Sequence, residues 1–118
     1  METTAFKGTP VHTYGKLPQV GSIAPQFTLT RGDLTELRSE ELKGRRIVLN
    51  ISPSLDTAVC ATSVRKFNQL AASLDNTTVV AVSKDLPFAQ SRFCTTEGIE
   101  NLIAASAFRS PEFGREYG

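Results

Sequence analysis

The chain has 118 residues, a length that fits one compact domain able to bury roughly two-thirds of its unfolded surface. At 40% hydrophobic and 21% charged, its composition is that of an ordinary globular protein, neither disordered nor fibrous. Thirteen basic residues balance twelve acidic ones, spread evenly over both halves, so there is no basic stripe or acidic tail to mark a nucleic-acid partner.

The first 25 residues read as extended segments broken by turns. Residues 6–11 form a hairpin, and the breakers Gly15, Pro18, Gly21 and Pro25 follow. Residues 27–29 alternate as a short strand, Arg31-Gly32-Asp33 turns the chain, and residues 34–37 return as its partner. Residues 39–42 make one helical turn that stops at Gly44, with Arg45-Arg46 in a solvated loop. Residues 47–51, Ile-Val-Leu-Asn-Ile, are nearly continuously apolar, the pattern of a strand buried on both faces. A helix runs from Thr57 or Ala58 to Leu74, with Cys60, Val64, Phe67, Ala71 and Leu74 on one face, and Asp75-Asn76 closes it. Residues 77–82 are a β-branched, buried strand. Asp85 caps the next helix, with Pro87 in its first turn and Gly98 as its stop. An apolar segment, 99–105, and a short helix opened by Ser110-Pro111 complete the chain. Strand, helix, strand, helix in this order implies parallel strands joined by crossover helices, an α/β layer architecture within a single domain.

No apolar stretch reaches the ~18 residues of a membrane span, and residues 1–10 lack the positive start and apolar centre of a secretory signal. The cytoplasm is therefore the expected location, without a membrane partner. Two cysteines, Cys60 and Cys94, are too few for a disulfide scaffold, which leaves two inert thiols or a redox pair.

Cys60 stands at the beginning of a helix, where unpaired N–H groups and the helix dipole favour negative charge. A thiol so placed is expected to titrate below its ordinary value of about 8.5. Thr57, three residues earlier, can cap the helix or donate a hydrogen bond to a thiolate or a bound oxygen. The alternative is plain: Cys60 lies on the apolar stripe, and free cysteines are among the most buried residues. Cys94 beside Phe93 reads as packing, and spacing alone decides neither case. Other chemistries fail on inventory. His12 is the only histidine, no ligand cluster suits a metal, and no glycine loop suits a phosphate or dinucleotide. Phe88 and Phe93 are assigned to the core.

Pro53-Ser54-Leu55-Asp56-Thr57-Ala58-Val59-Cys60 carries Pro, three residues, Thr, two residues, Cys, and resembles the peroxiredoxin signature. Residues 63–68 and the segment from Asp85 to Cys94 narrow the resemblance to the bacterial thiol peroxidases, atypical two-cysteine peroxiredoxins, and the likeness spans essentially the whole chain. The resemblance implies a thioredoxin-like fold with an N-terminal β-hairpin. It also implies roles: Cys60 as peroxidatic cysteine, Cys94 as resolving cysteine in an intramolecular disulfide, Thr57 as the hydroxyl that orients peroxide, and Pro53 as a shield for the sulfenic acid. It further implies a hydroperoxide substrate with alkyl peroxides preferred, thioredoxin as reductant, a homodimer, and no metal, haem or nicotinamide cofactor.

Chains of that family continue past Gly118 into two further strands and a closing helix, one strand carrying an arginine that steadies the thiolate. No arginine here falls in that motif, so Arg65, Arg92 and Arg109 are not given its role. The expectation is therefore the N-terminal portion of the domain, lacking the C-terminal strands and helix, with residues 47–51 as an apolar edge. A fragment, or part of a longer protein, is one explanation. The other is a truncated, non-catalytic thioredoxin-fold interaction domain with two packed thiols. A thioredoxin-like disulfide exchanger is disfavoured, because no cysteine stands three positions from Cys60.

Overall fold

The computed structural model describes residues 1–118. An N-terminal hairpin pairs β1 (Thr3–Phe6) with β2 (Thr9–His12). Lys7 and Gly8 both have positive φ, 51° and 81°, the two-residue turn whose twist matches that of its strands. The second hairpin joins β3 (Thr28–Arg31) to β4 (Glu36–Arg38). Its turn is held by Asp33, whose carboxylate accepts both the amide and the hydroxyl of Thr35. A single 3-10 turn, Ser39–Leu42, follows.

The remainder alternates: β5 (Arg46–Ile51), α1 (Ala58–Ala71), β6 (Thr77–Ser83) and α2 (Pro87–Glu97) follow the predicted order of strand, helix, strand, helix, the strand β7 (Ile103–Ser106) comes next, and the expected short helix α3 (Pro111–Tyr117) ends the chain. The five-stranded sheet has the order β4-β3-β7-β6-β5. Strands β5, β6 and β7 are parallel, and β3 is antiparallel to both β7 and β4. Moving stepwise from β5 to β6 to β7 by right-handed crossovers puts α1 and α2 on the same face.

The period of two along β6 divides the core. Val80 and Val82 point into the larger cluster with Phe27, Leu29, Leu37, Ala105 and Phe113. Ala81 points the other way, into a smaller cluster with Leu55, Val64 and Ile99. The larger cluster is closed by α3, where Phe113 meets Phe27 edge-on at 5.9 Å and stacks on Tyr117 at 4.7 Å. The Tyr117 hydroxyl and the Ser110 hydroxyl tie α3 to the carbonyls of Pro25 and Thr28.

Several expectations are corrected. Residues 47–50 are half-buried rather than buried on both faces, and Ile51 is exposed. The reason is that β5 is an edge strand with β6 as its one neighbour, in line with the apolar edge expected from the resemblance. Arg46 belongs to β5, not to the preceding loop. Helix α1 stops at Ala71, because the Ser73 amide and hydroxyl both turn back to the Leu70 carbonyl and tighten the last turn. Its buried face is Ala61 and Val64, while Leu74 is 44% exposed. Of the segment 99–105, only its second half enters β7. Phe88 is 64% exposed and belongs to no core.

Gly98 does end α2, in the left-handed region at φ 68°. No atom lies within 4 Å of where its Cβ would be, so Gly98→Ala meets backbone strain alone. It is expected to destabilise the protein by about 1–2 kcal/mol, read as a lower urea midpoint at unchanged slope. An unchanged midpoint would refute the cap.

Candidate active site

At the carboxyl end of β5 the chain leaves the sheet, after the Ser52 amide bonds the Val82 carbonyl at 2.9 Å. It then crosses to α1 through residues 53–57. Pro53 is exposed on this loop. Thr57 is the N-cap residue, with extended backbone at φ −100° and ψ 144°. Its hydroxyl, however, does not bond the helix amides. It donates to the Ser54 carbonyl at 2.8 Å, correcting the expectation of a side-chain cap.

The first intrahelical bond runs from Ala61 N–H to the Thr57 carbonyl at 3.0 Å. The amides of Ala58, Val59 and Cys60 therefore precede the hydrogen-bonded ladder, with no side-chain cap over them. Cys60 is in this first turn, a free and partly exposed thiol. Pro53, Thr57 and Cys60 thus share one strand–loop–helix junction.

Cys94 lies in the last turns of α2, also as a free thiol. It packs with Phe93 and Leu102 against the cluster of Leu55, Val64, Ala81 and Ile99. Leu55 is five residues before Cys60 and Val64 is one turn after it, so the segment bearing Cys60 and the turn bearing Cys94 share one apolar cluster. Burial pushes the Cys94 thiol above its ordinary value. Its carbonyl also accepts the amides of Gly98 and Ile99, which close the helix.

The two helices are clipped together at the far side. Arg65 of α1 is paired with Glu97 of α2, and Asn68 accepts the Asn101 amide at 2.7 Å. Between the loop and α2 lies a cavity of about 360 Å³, walled by Leu55 and Asp56 on one side and by Ala89, Arg92, Phe93 and Thr96 on the other. Arg65 is thus engaged with Glu97, whereas Arg92 and Arg109 are exposed. His12 is exposed on the N-terminal hairpin, its ring nitrogen 3.2 Å from the Thr3 hydroxyl.

Asp85 does not cap α2, whose N-cap is Leu86. Its carboxylate turns instead to the loop before Cys60 and accepts the Leu55 amide at 2.8 Å and the Ser54 and Ser83 hydroxyls, each at 2.7 Å. Burial raises the Asp85 pKa, but these bonds together outweigh it and leave the carboxyl below its ordinary value. The folded protein therefore holds Asp85 charged more readily than the unfolded chain does. That stability is fully present above the ordinary carboxylate value and is lost as pH falls through the lowered one. Beneath Asp85, the wholly buried Gln90 donates to the Ser83 hydroxyl and to the Ala105 carbonyl. Sequence reasoning missed both partnerships. A polar residue at a fully buried helix position is the only signal Gln90 offers, and it appears only once the faces of α2 are known.

The family model described as Redoxin matches residues 19–118. A thiol peroxidase of Corynebacterium glutamicum is 57% identical over all 118 residues, which span 71% of that relative. The chain belongs to the bacterial thiol peroxidases. A thiol peroxidase of Mycobacterium tuberculosis is 54% identical over the same residues, 70% of its length. The crystal structure of a peroxiredoxin-like protein from Aquifex aeolicus superposes with a TM-score of 0.87 at 39% identity, covering 98% of this chain and 67% of that one. The sheet and helices described above are accordingly the thioredoxin-like fold of a peroxiredoxin, and this thiol peroxidase chain is a thiol-dependent peroxidase, an oxidoreductase. No helix in it is long and apolar enough to cross a membrane.

Proposed function

We propose that this thiol peroxidase reduces hydroperoxides at Cys60 and resolves the product with Cys94. The Cys60 thiolate attacks one peroxide oxygen, the O–O bond breaks, and the other oxygen departs as alkoxide and takes up a proton to become the alcohol. Cys60 is left as sulfenic acid. The Cys94 thiolate then attacks the Cys60 sulfur, a disulfide forms, and hydroxide leaves as water. An external dithiol, read as thioredoxin, returns both thiols by exchange.

The observation that carries this reading is the apolar cluster Cys94 shares with Leu55 and Val64, the residues that bracket Cys60. Free amides at the start of α1 are suitable donors for the developing charge on oxygen, and the nearby Thr57 hydroxyl, whose proton goes to the Ser54 carbonyl, keeps its lone pairs to accept the hydroperoxide O–H. Pro53 is read as the ring that limits water at the sulfenic acid. Exposed Val59 and Phe88, on segments leaving the carboxyl ends of β5 and β6, favour an alkyl peroxide over hydrogen peroxide. A homodimer and a cytoplasmic location are read from family membership.

Intact mass after one equivalent of cumene hydroperoxide, with iodoacetamide to count free thiols, tests the reading. The expected product has lost two hydrogens and both alkylation sites, with the Cys60 and Cys94 peptides linked. Two thiols still open to alkylation would defeat it. Because burial keeps Cys94 protonated, closure of the disulfide is expected to accelerate about tenfold per pH unit, continuing above the ordinary thiol value of about 8.5. Rapid-quench sampling reads this rate, and a plateau below that value would contradict the burial of Cys94.

A further inference from the structure

Behind the Cys60 loop, Asp85 is gripped from the body of the fold and in turn grips the loop. The Ser83 hydroxyl from β6 donates to its carboxylate, the Ser106 hydroxyl from β7 donates to its carbonyl at 2.5 Å, and Gln90 of α2 secures Ser83 from below. On the loop side, Asp85 accepts the Leu55 amide and the Ser54 hydroxyl. Ser54 extends the chain of contacts further. Its hydroxyl accepts the Asp56 amide at 3.1 Å, and its carbonyl accepts the Thr57 amide at 3.3 Å and the Thr57 hydroxyl at 2.8 Å. Every polar contact that orients Thr57 from the amino-terminal side therefore passes through Ser54, and Ser54 is fixed by Asp85.

We propose that Asp85 is a positioning residue of the peroxidase reaction, which acts through Ser54 to aim the Thr57 hydroxyl and the first amides of α1 at the peroxide. The inference rests on the roles proposed above for Cys60 and Thr57. A carboxylate suits the task because it accepts three donors at once and gives none, so the loop has one arrangement rather than several. Cleavage of an O–O bond depends on donors held in line with the thiolate, whereas alkylation by iodoacetamide needs the thiolate and little else.

The test compares two rates at Cys60 in the reduced protein: single-turnover reaction with cumene hydroperoxide and alkylation by iodoacetamide. Asp85→Asn removes the charge and one acceptor. Ser54→Ala leaves Asp85 with its β6 and Leu55 contacts and leaves the residue-54 carbonyl under Thr57, and removes the hydroxyl that ties this carbonyl's residue to Asp85 and accepts the Asp56 amide, so it serves even where Asp85→Asn folds poorly. Both variants are expected to lose roughly 30-fold in the peroxide rate while alkylation changes by less than about threefold. Equal loss in both rates for Ser54→Ala, or no loss in either, overturns the positioning role. If the parent protein fails to react with peroxide at Cys60, the proposed function falls and this inference with it. Parental reactivity with an unchanged ratio in the variants overturns the inference alone.

Discussion

Cys60→Ser is expected to remove peroxide reduction, by a factor on the order of 10³ or more in the single-turnover rate. A serine hydroxyl stays protonated where a thiol ionises, and the fold offers no base to change that: the one histidine, His12, is exposed on the N-terminal hairpin. Cys94→Ser is expected to behave differently. It should consume one equivalent of peroxide, stop there in the presence of thioredoxin, and leave Cys60 open to a sulfenic-acid probe that adds one label by mass. The pair of variants therefore separates the two thiols by the step each one blocks. Full activity in Cys60→Ser would disprove the assignment of the nucleophile. Sustained turnover in Cys94→Ser would disprove only the resolving role.

Leu29→Ala is expected to cost about 3–5 kcal/mol of stability. Leu29 is completely buried in β3, pairs across the strand with the equally buried Leu37, and joins the larger cluster with Val80, Val82 and Phe113. Truncation leaves a void between two sheet neighbours that are themselves fixed by hydrogen-bonded ladders, so little collapse can fill it. On a domain this size the loss corresponds to a fall in Tm of roughly 10–20 °C. Val20→Ala is the control. Val20 is fully exposed, and its truncation is expected to stay within about 0.5 kcal/mol. Similar melting temperatures for the two variants would mean that the sheet's central face is not the main core.

Much of this architecture is legible in the sequence because it depends on local periodicity. The β-branched run of β6, the breakers at Gly44 and Gly98 and the Ser110-Pro111 start each act within a few residues, and each appears where expected. The failures share a different cause. The apolar run of β5 has the composition of a central strand, yet its burial depends on how many neighbours it has, which no window of sequence reports. On α1, the buried residues are Ala61 and Val64 rather than the whole Cys60 stripe, and it is Val64 that packs with Ala81 of β6. Asp85 has the right chemistry for a cap but finds better partners thirty residues upstream. The cysteine motif was readable through resemblance; the cluster that joins its two halves, and the Arg65–Glu97 clip beside it, exist only in three dimensions.

The helix cap at Cys94 has a consequence for oxidant tolerance. The carbonyl of Cys94 holds the amides of Gly98 and Ile99, and Ile99 is buried against the same cluster as the thiol. Under the proposed resolution of Cys60 by Cys94, release of this turn would gate the disulfide step, and the sulfenic acid would wait while the turn holds. A second peroxide arriving in that interval would carry Cys60 on to sulfinic acid, from which thiols do not rescue it. On that proposal, the strength of a two-bond helix terminus would set the branching ratio between repair and permanent damage. An enzyme working by that proposed route would act as a scavenger at low peroxide and retire itself at high peroxide, and the Gly98 cap would help to set the threshold.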